Sequence, residues 1–209
     1  IMTIILLLTV LWIIINFFFY KIIHKFKIYL YLIAIIAGAI SFTQEVNIIN
    51  LGYVGLSFFL VVMYSGVIEK GKLKKSLIAT RAEMAIIGSI FIIVHGIKYI
   101  IFALDFDFLF SAPLYFYIGV VALSIAAPLF ITSFINVRKR MQGKSWKKLH
   151  KLAYIFYFLV GLHLVLIQND RMYFYIGIFG LYFILRVWTY FEIKSKKSKI
   201  KNKFVEQTL

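Results

Sequence analysis

Long apolar runs separated by short polar segments dominate the chain, and each run is about as long as the hydrocarbon core of a bilayer requires. An unpaired strand cannot satisfy its backbone groups in lipid, so each run is predicted to be a helix. The seven runs are Met2–Tyr20, Phe26–Phe42, Leu51–Ile68, Ala82–Leu104, Pro113–Val137, Leu152–Gln168 and Met172–Tyr190. The pattern therefore predicts an all-α membrane protein, a bundle of about seven transmembrane helices.

The first run has the length of a membrane span, but a secretory signal peptide is an alternative interpretation of it. It has no basic start and no small-residue cleavage site before Lys21. We therefore predict that residues 1–25 form a transmembrane helix followed by a basic loop.

Composition agrees with this pattern. Of the 209 residues, 63% are hydrophobic and 15% are charged, whereas soluble domains are roughly 45–50% apolar and about 25% charged. A soluble domain is therefore excluded. The chain has no cysteine, which excludes disulfides, iron–sulfur clusters, cysteine-based zinc sites and the thioether attachment of a c-type haem. Any haem is expected to be held without covalent bonds.

The positions of the charges predict the orientation of the chain. The formal net charge is +16, and nearly all of the 24 Lys and Arg residues follow the first, third, fifth and seventh runs. The other side carries two basic residues, Lys98 and Arg171, and four acidic ones, Glu45, Asp105, Asp107 and Asp170. By the positive-inside rule, the N-terminus lies outside the plasma membrane and the basic tail, residues 191–209, lies in the cytoplasm. The charge thus reports topology and attraction to membrane lipid, and no nucleic-acid partner is expected. The Lys/Ser-rich tail is expected to be disordered.

Two histidines are predicted to lie inside the membrane at the same depth. His95 lies 13 residues past Ala82, and His163 lies 14 residues past Leu149 on a helix that runs in the same direction. At the helical rise, both lie about 20 Å from the inner face. Either imidazole alone could serve only to hydrogen-bond a neighbouring helix. Together, two neutral imidazoles on facing helices can occupy the two axial positions of a haem iron.

Other chemistry fits this pair of histidines less well. A transition-metal transporter needs more than two ligands, and no Asp or Glu lies at this depth. A proton relay needs a chain of ionisable groups, but the residues around His95 are Ile, Val and Gly. A non-covalent b-type haem is therefore the expected partner.

A third histidine, His150, lies 13 residues before His163 at the predicted cytoplasmic interface, where it could serve a second haem or lie among the headgroups. The matching position on the fourth run holds Arg81 and Ala82, so a second haem would need His24 or a non-protein group as its other ligand. His24 is itself expected to be a solvated loop residue.

Two short motifs resemble the ferric reductase-like transmembrane family. The segment 145–154, with Trp146, His150 and Tyr154, and then His163, is similar to that family's W-x-x-L-H-x-x-x-Y…H signature. Arg81, His95 and Tyr99 resemble its R…H-x-x-x-Y. Thr132 and Ser133 resemble a T-S pair near the end of the helix before the basic loop. The resemblance covers six runs, roughly residues 26–190, so that residues 1–25 form an additional helix. Within the family, the closest resemblance is to the MsrQ haem-binding membrane subunits that serve periplasmic methionine sulfoxide reductases.

The resemblance implies a membrane subunit of an oxidoreductase that moves electrons from the cytoplasmic side to an extracytoplasmic redox partner. His95 and His163 match the ligands of the outer haem b, and His150 matches the inner-side histidine. Unlike ferric reductases, the chain has no flavin or nicotinamide domain after its last run, so quinol or a flavoprotein is expected to be the donor. The bound donor cofactor would then be a quinone or FMN, and the acceptor a methionine sulfoxide reductase or ferric iron.

Two further cations are candidates for contacts with haem propionates. Lys98, three residues after His95, either pairs with an outer propionate or extends to the headgroups. Arg186 either serves an inner propionate or ends the last helix. Two other functions remain open, a transporter or channel and a structural membrane subunit without a cofactor, although the runs offer few polar residues to line a path.

Overall fold

The computed structural model describes residues 2–44, 46–106, 108–167 and 169–206, with side chains described to residue 195 except that of Asn169. Within these residues the structure is helical and contains no strand. The helices are α1 Met2–Lys25, α2 Lys27–Thr43, α3 Asn47–Asn50, α4 Tyr53–Tyr64, α5 Lys72–Ala79, α6 Arg81–Asp105, α7 Leu114–Ile131, α8 Ile135–Arg140, α9 Gly143–Leu149, α10 Leu152–Ile167 and α11 Met172–Glu206. A 3₁₀ turn, Asn169–Arg171, precedes α11. The predictions for Glu45, Asp107 and Gln168 lie outside the described residues.

Five segments are long and apolar enough to cross a bilayer, so the chain is a multi-pass membrane protein. They are Met2–Lys25, Arg81–Asp105, Leu114–Ile131, Gly143–Ile167 and Met172–Ser195. The apolar helices α2 and α4 are shorter, with 17 and 12 residues. The count of about seven spans therefore remains a prediction.

Helix α4 is shorter than its apolar run because the backbone turns at both ends. Gly52, just before α4, has φ of 76° in the left-handed region, which a residue with a side chain rarely adopts. After Tyr64, the amides of Gly66 and Val67 bond to carbonyls three residues back, which closes a turn. The run Leu51–Ile68 thus contains one short helix and two turns.

Two sequence expectations are corrected by the helix ends. The run Pro113–Val137 is divided: α7 stops at Ile131, and α8 begins at Ile135. The hydroxyl of Ser133 donates to the Leu129 carbonyl, a local bond that competes with continuation of the helix. The tail expected to be disordered continues as α11 to Glu206. Since α11 has already formed, adding lysine-rich turns to its end requires no new nucleation.

Helix α1 is packed into the bundle along one face. Asn16 and Ile23 on this face are buried, and Ile5 is fully buried. The Trp12 indole stacks on Phe58 of α4 at 4.3 Å between ring centroids and donates to Ser57 Oγ at 3.1 Å. The first run is therefore an integral part of the fold.

The start of α6 is held by side chains of α1. Thr80 and Glu83 form a T-x-x-E sequence at the first turn, which usually makes a local capping box. The N-cap here has no side-chain hydrogen bond. Thr80 instead donates to the Asn16 side chain, and Glu83 contacts His24. Both potential capping groups thus bind the neighbouring helix.

Small residues bring the central helices together. An added Cβ at Gly88 of α6 would lie 2.9 Å from Phe58 of α4, and one at Gly96 would lie 2.6 Å from Leu123 of α7. Such close approach is typical of membrane helix interfaces. Helix α10 packs against α7 and α11, so α4, α6, α7 and α10 surround the middle of the bundle.

Candidate functional site

A cavity between α4, α6, α7 and α10 contains both histidines predicted at mid-membrane depth. This two-histidine cavity has a volume of about 240 Å³, and its wall is largely apolar. His95 of α6 and His163 of α10 line it, together with Tyr99. The two imidazole centroids are 6.5 Å apart, with an angle of 80° between the ring planes. The structure therefore brings together the two residues that the sequence placed at one depth.

Backbone carbonyls fix the protonation pattern of both rings. His95 Nδ1 lies 2.6 Å from the Asn50 carbonyl oxygen, and His163 Nδ1 lies 2.8 Å from the Tyr115 carbonyl oxygen. A carbonyl oxygen only accepts, so Nδ1 carries the hydrogen in each ring. In a neutral imidazole, Nε2 then has its lone pair available. Such a bond to a second group orients a histidine that binds a metal.

Two glycines give these rings their space. A Cβ added at Gly119 would lie 2.9 Å from His163 Cε1, closer than a fixed ring allows. A Cβ added at Gly52 would lie 3.4 Å from the His95 ring, and its left-handed backbone also favours glycine. A side chain at position 119 would therefore displace the His163 ring.

Other polar groups around this cavity are distributed unevenly. Tyr99 packs 4.9 Å from the His95 ring, between centroids. The side-chain oxygen of Asn50 is buried without a hydrogen-bond partner among the described residues. Lys98 is half-buried on α6 and does not line either of the two cavities at the site.

A second cavity, of about 590 Å³, brings together the other predicted site residues. Arg81, Trp146, His150 and Tyr154 all line it. We call it the basic cavity, because its further charged side chains include Lys27, Arg138, Lys147 and Lys151. A ligand with anionic or hydrogen-bonding groups suits this wall better than a purely apolar one.

His150 is held differently from the paired histidines. Its Nε2 lies 3.0 Å from Thr132 Oγ1, whose hydroxyl donates to the Pro128 carbonyl at 2.6 Å. Nε2 of His150 is therefore the donor to Thr132. The Trp146 ring packs 4.1 Å from the His150 ring, and the Arg138 guanidinium lies 4.5 Å from the Trp146 ring. Among the described residues, no second imidazole packs against the His150 ring.

The tyrosine of the inner motif contacts α11. The Arg186 guanidinium donates to the Tyr154 hydroxyl and lies 5.1 Å from the centre of its ring. Arg186 does not itself line the basic cavity. It therefore reaches the site through Tyr154.

An acidic residue that the sequence did not single out also lines the basic cavity. Glu83 is 3% exposed and is the one carboxylate among the described side chains that line this cavity. Its Oε1 lies 2.8 Å from Nδ1 of His24, whose side chain is 62% exposed. His24 thus lies in the last turn of α1 rather than in a loop, and its exposed side chain has a buried partner. An acidic residue inside an apolar run was the signal that could have identified this pair.

The two cavities share an aromatic wall. Phe59 of α4 and Phe156 of α10 line both cavities. Their ring centroids are 4.9 Å apart, in an edge-to-face arrangement. One layer of side chains therefore separates the two spaces.

Within the described residues, no group of three or more His, Cys, Asp or Glu side chains is arranged to hold a metal ion. The paired histidines provide two protein ligands. A metal bound there would take its remaining ligands from another group.

Comparison with known proteins identifies the region that carries these cavities. Residues 49–161 match the family model described as a ferric reductase-like transmembrane component. The matched region includes His95 and His150, while His163 lies two residues beyond it and His24 precedes it.

Two curated relatives align with part of the chain. An uncharacterised protein of Treponema pallidum (strain Nichols) is 34% identical over 118 residues, which cover 52% of this chain and 32% of that protein. The magnetosome protein MamZ of Paramagnetospirillum magneticum is 43% identical over 54 residues, covering 26% of this chain and 8% of MamZ. The alignments thus span about a third or less of each relative's length. No solved structure matches the chain.

Proposed function

This chain belongs to the ferric reductase-like transmembrane family, and from that premise we propose that it binds b-type haem between His95 and His163 and transfers electrons across the membrane. The family is that of oxidoreductase-type membrane components. The observation that carries the proposal is the pair of half-buried imidazoles with both Nδ1 atoms bonded to backbone carbonyls. In this arrangement both Nε2 atoms remain available as metal ligands.

The spacing of the two rings supports a shared metal. Metal–imidazole bonds are about 2 Å long, so one ion between two ring nitrogens sets the ring centres roughly 6 Å apart. The two imidazole centroids are 6.5 Å apart in this structure. The cavity volume, about 240 Å³, is slightly below the roughly 300–1,000 Å³ of small-molecule sites. Binding of a macrocycle therefore requires neighbouring side chains to move apart.

Residues of this chain would hold the haem and tune its potential. His95 and His163 would hold the haem iron, and the Asn50 and Tyr115 carbonyls would orient their rings and increase their basicity. The Asn50 amide can turn to present either a donor or an acceptor to the bound group. Bound there, haem supplies one-electron redox chemistry.

The basic cavity is proposed to receive the electron donor. We infer that it faces the cytoplasm, because most basic loops lie on its side of the bundle. Electrons from quinol or a flavoprotein would reach the two-histidine cavity past Phe59 and Phe156, which line both spaces. The proposed acceptor is an extracytoplasmic redox partner, such as a methionine sulfoxide reductase, or ferric iron, as for an MsrQ-like subunit of the plasma membrane.

We propose one haem per chain. In the basic cavity, Nε2 of His150 is bonded to Thr132, and Arg81 occupies the position on α6 that a second histidine ligand would need. A second haem with His150 as a ligand remains a sequence prediction, to be judged from the measured haem content.

Spectroscopy of the purified protein tests this proposal. The expected result is a low-spin haem b spectrum, in the reduced-minus-oxidised difference, that His95→Ala and His163→Ala each abolish. His24→Ala is the matched control and is expected to keep the spectrum, since His24 does not line the two-histidine cavity. A folded, colourless wild-type protein would overturn the proposal and favour a transporter or a cofactor-free structural subunit.

A further inference from the structure

Helix α1 brings His24 to the basic cavity, beside the carboxylate of Glu83. Glu83 lies at the start of α6 and lines the basic cavity, where its carboxylate meets the His24 imidazole at 2.8 Å. His24 comes from α1, which precedes the region matched by the family model. We propose that the basic cavity is a quinol-oxidation site in which Glu83 accepts the hydroxyl proton and His24 passes it to water. This inference rests on the proposed function.

The asymmetric exposure of the pair supports a path for protons. The carboxylate is buried, whereas the His24 side chain is 62% exposed. Burying a carboxylate is costly unless it is paired, and buried acidic groups in membrane helices commonly serve proton transfer. A proton accepted inside the cavity by Glu83 therefore has a direct exit, through the imidazole, to the surface.

The wall of the cavity fits a lipid-soluble reductant with an aromatic ring. Besides its charged side chains, it includes the apolar Phe59, Val62, Ile86 and Phe156. A ring with hydroxyl groups can bury its face against these side chains and present an O–H to Glu83. A soluble flavoprotein would dock on the exposed lysines and deliver electrons without needing a buried carboxylate.

The chemistry balances with the haem as electron acceptor. Oxidation of one quinol to quinone breaks two O–H bonds and releases two protons and two electrons. Each electron would pass singly to the haem held by His95 and His163, and the second would follow once the extracytoplasmic acceptor has taken the first. Each proton moves to the Glu83 carboxylate and then, through His24, to water. Arg81, Arg138 and Lys147 also line the cavity.

The geometry that holds α1 in place supports a functional role for this helix. Asn16 is fully buried and bonds to Thr80, three residues before Glu83, and to Met84 Sδ at 3.3 Å. These contacts fix the register of α1 against the first turn of α6. Because His24 lies two turns beyond Asn16, its position opposite Glu83 depends on this register.

The test compares quinol with a reductant that needs no proton acceptor. The full-length, haem-loaded protein in lipid nanodiscs is mixed with duroquinol or with dithionite, and haem reduction is followed by stopped-flow absorbance. Glu83→Gln is expected to slow reduction by quinol about 100-fold, as for loss of a general base. Reduction by dithionite should not change. Glu83→Asp keeps a carboxylate and should restore most of the rate, and His24→Asn should fall between the wild type and Glu83→Gln.

Control variants and a binding measurement separate this role from a structural one. Glu69→Gln makes the same chemical change at an exposed loop position outside both cavities and should leave all rates unchanged. Binding of a hydroxyquinoline N-oxide, followed by quenching of its fluorescence, should keep nearly the same affinity in Glu83→Gln. This would show that the cavity is still folded and occupied.

Each contrary result has a distinct meaning. Reduction by quinol at the wild-type rate in Glu83→Gln would overturn the role of the pair. A wild-type haem that dithionite reduces but quinol does not would overturn the quinol site and leave the haem proposal intact. If the wild-type protein contains no haem, this is seen before any quinol is added. That result would overturn the proposed function together with this inference.

Discussion

The two cavities use the same residue type for opposite purposes. In the two-histidine cavity, a backbone carbonyl takes Nδ1–H of each ring and leaves Nε2 available within an apolar wall. In the basic cavity, His150 uses Nε2 to bond Thr132, and His24 bonds a carboxylate. The first arrangement suits a permanently held metal, and the second suits an exchangeable ligand with polar groups. The difference teaches that a histidine's role follows from which nitrogen is already bonded and from the group that it bonds.

The largest expected effect concerns the space around His163. Gly119→Ala places a Cβ 2.9 Å from the ring and must displace it. Disturbing the orientation of a metal ligand costs about 10–100-fold in affinity, so titration of the haem-free protein with haem should show a loss of that size. Gly177→Ala, on α11 with open space around it, is the matched control. Equal affinities for the two variants would contradict the role given to this glycine.

A smaller effect is expected at the contact between α1 and the start of α6. Asn16→Ala removes a buried side chain that bonds Thr80 and Met84. Hydrogen bonds between membrane helices contribute about 1 kcal/mol, so the free energy of unfolding should fall by about this amount in a denaturant titration. The haem affinity should not change. A fall in haem affinity as large as that of Gly119→Ala would show that the two cavities are not independent.

Loss of the partner of His150 should cost less. Thr132→Val keeps the shape of the side chain but removes the hydroxyl that bonds His150 and the Pro128 carbonyl. We expect a loss of about 0.5–1 kcal/mol in unfolding free energy and a change in the fluorescence of Trp146, which packs on His150. Thr189→Val removes a similar bond to a carbonyl on α11 and has no histidine partner, so it should leave Trp146 in its present environment.

The smallest expected effect, on haem content, tests most directly how the two cavities differ. His150→Ala is expected to leave the amount of haem per chain unchanged, because both proposed ligands lie in the other cavity. The measurement is the pyridine haemochrome content per protein. If this content falls by half, the basic cavity holds a second haem. The distinction between a two-histidine cavity that holds a metal and a basic cavity that exchanges its ligand is then wrong.

The sequence predicts the helical class and the positions of its main elements because both depend on local quantities. Apolar length identifies the spans, and a constant helical rise gives the common depth of His95 and His163. The same reasoning overestimates the length of α4, because apolar length does not reveal the left-handed backbone at Gly52. It also extends the run after Pro113 through the break at Ile131, where local side-chain bonds compete with the helix.

The finer chemistry of the site depends on contacts between helices, which periodicity does not contain. Nothing local indicates that the carbonyls of Asn50 and Tyr115 lie beside the two histidines. The motif around His150 was recognisable, and the structure collects its Trp146 and Tyr154 in one cavity with Arg81. The expected contact of Lys98 with a propionate remains a prediction.

The exchange of capping partners at α6 has a consequence for biogenesis. A helix whose first turn is completed by another segment depends on the order of synthesis, and N-terminal segments leave the ribosome first. Asn16 and His24 are therefore already made when Thr80 and Glu83 emerge. A chimaera carrying a foreign first segment would lose these partners while retaining both imidazoles of the central pair, so α1 is not interchangeable with a generic anchor.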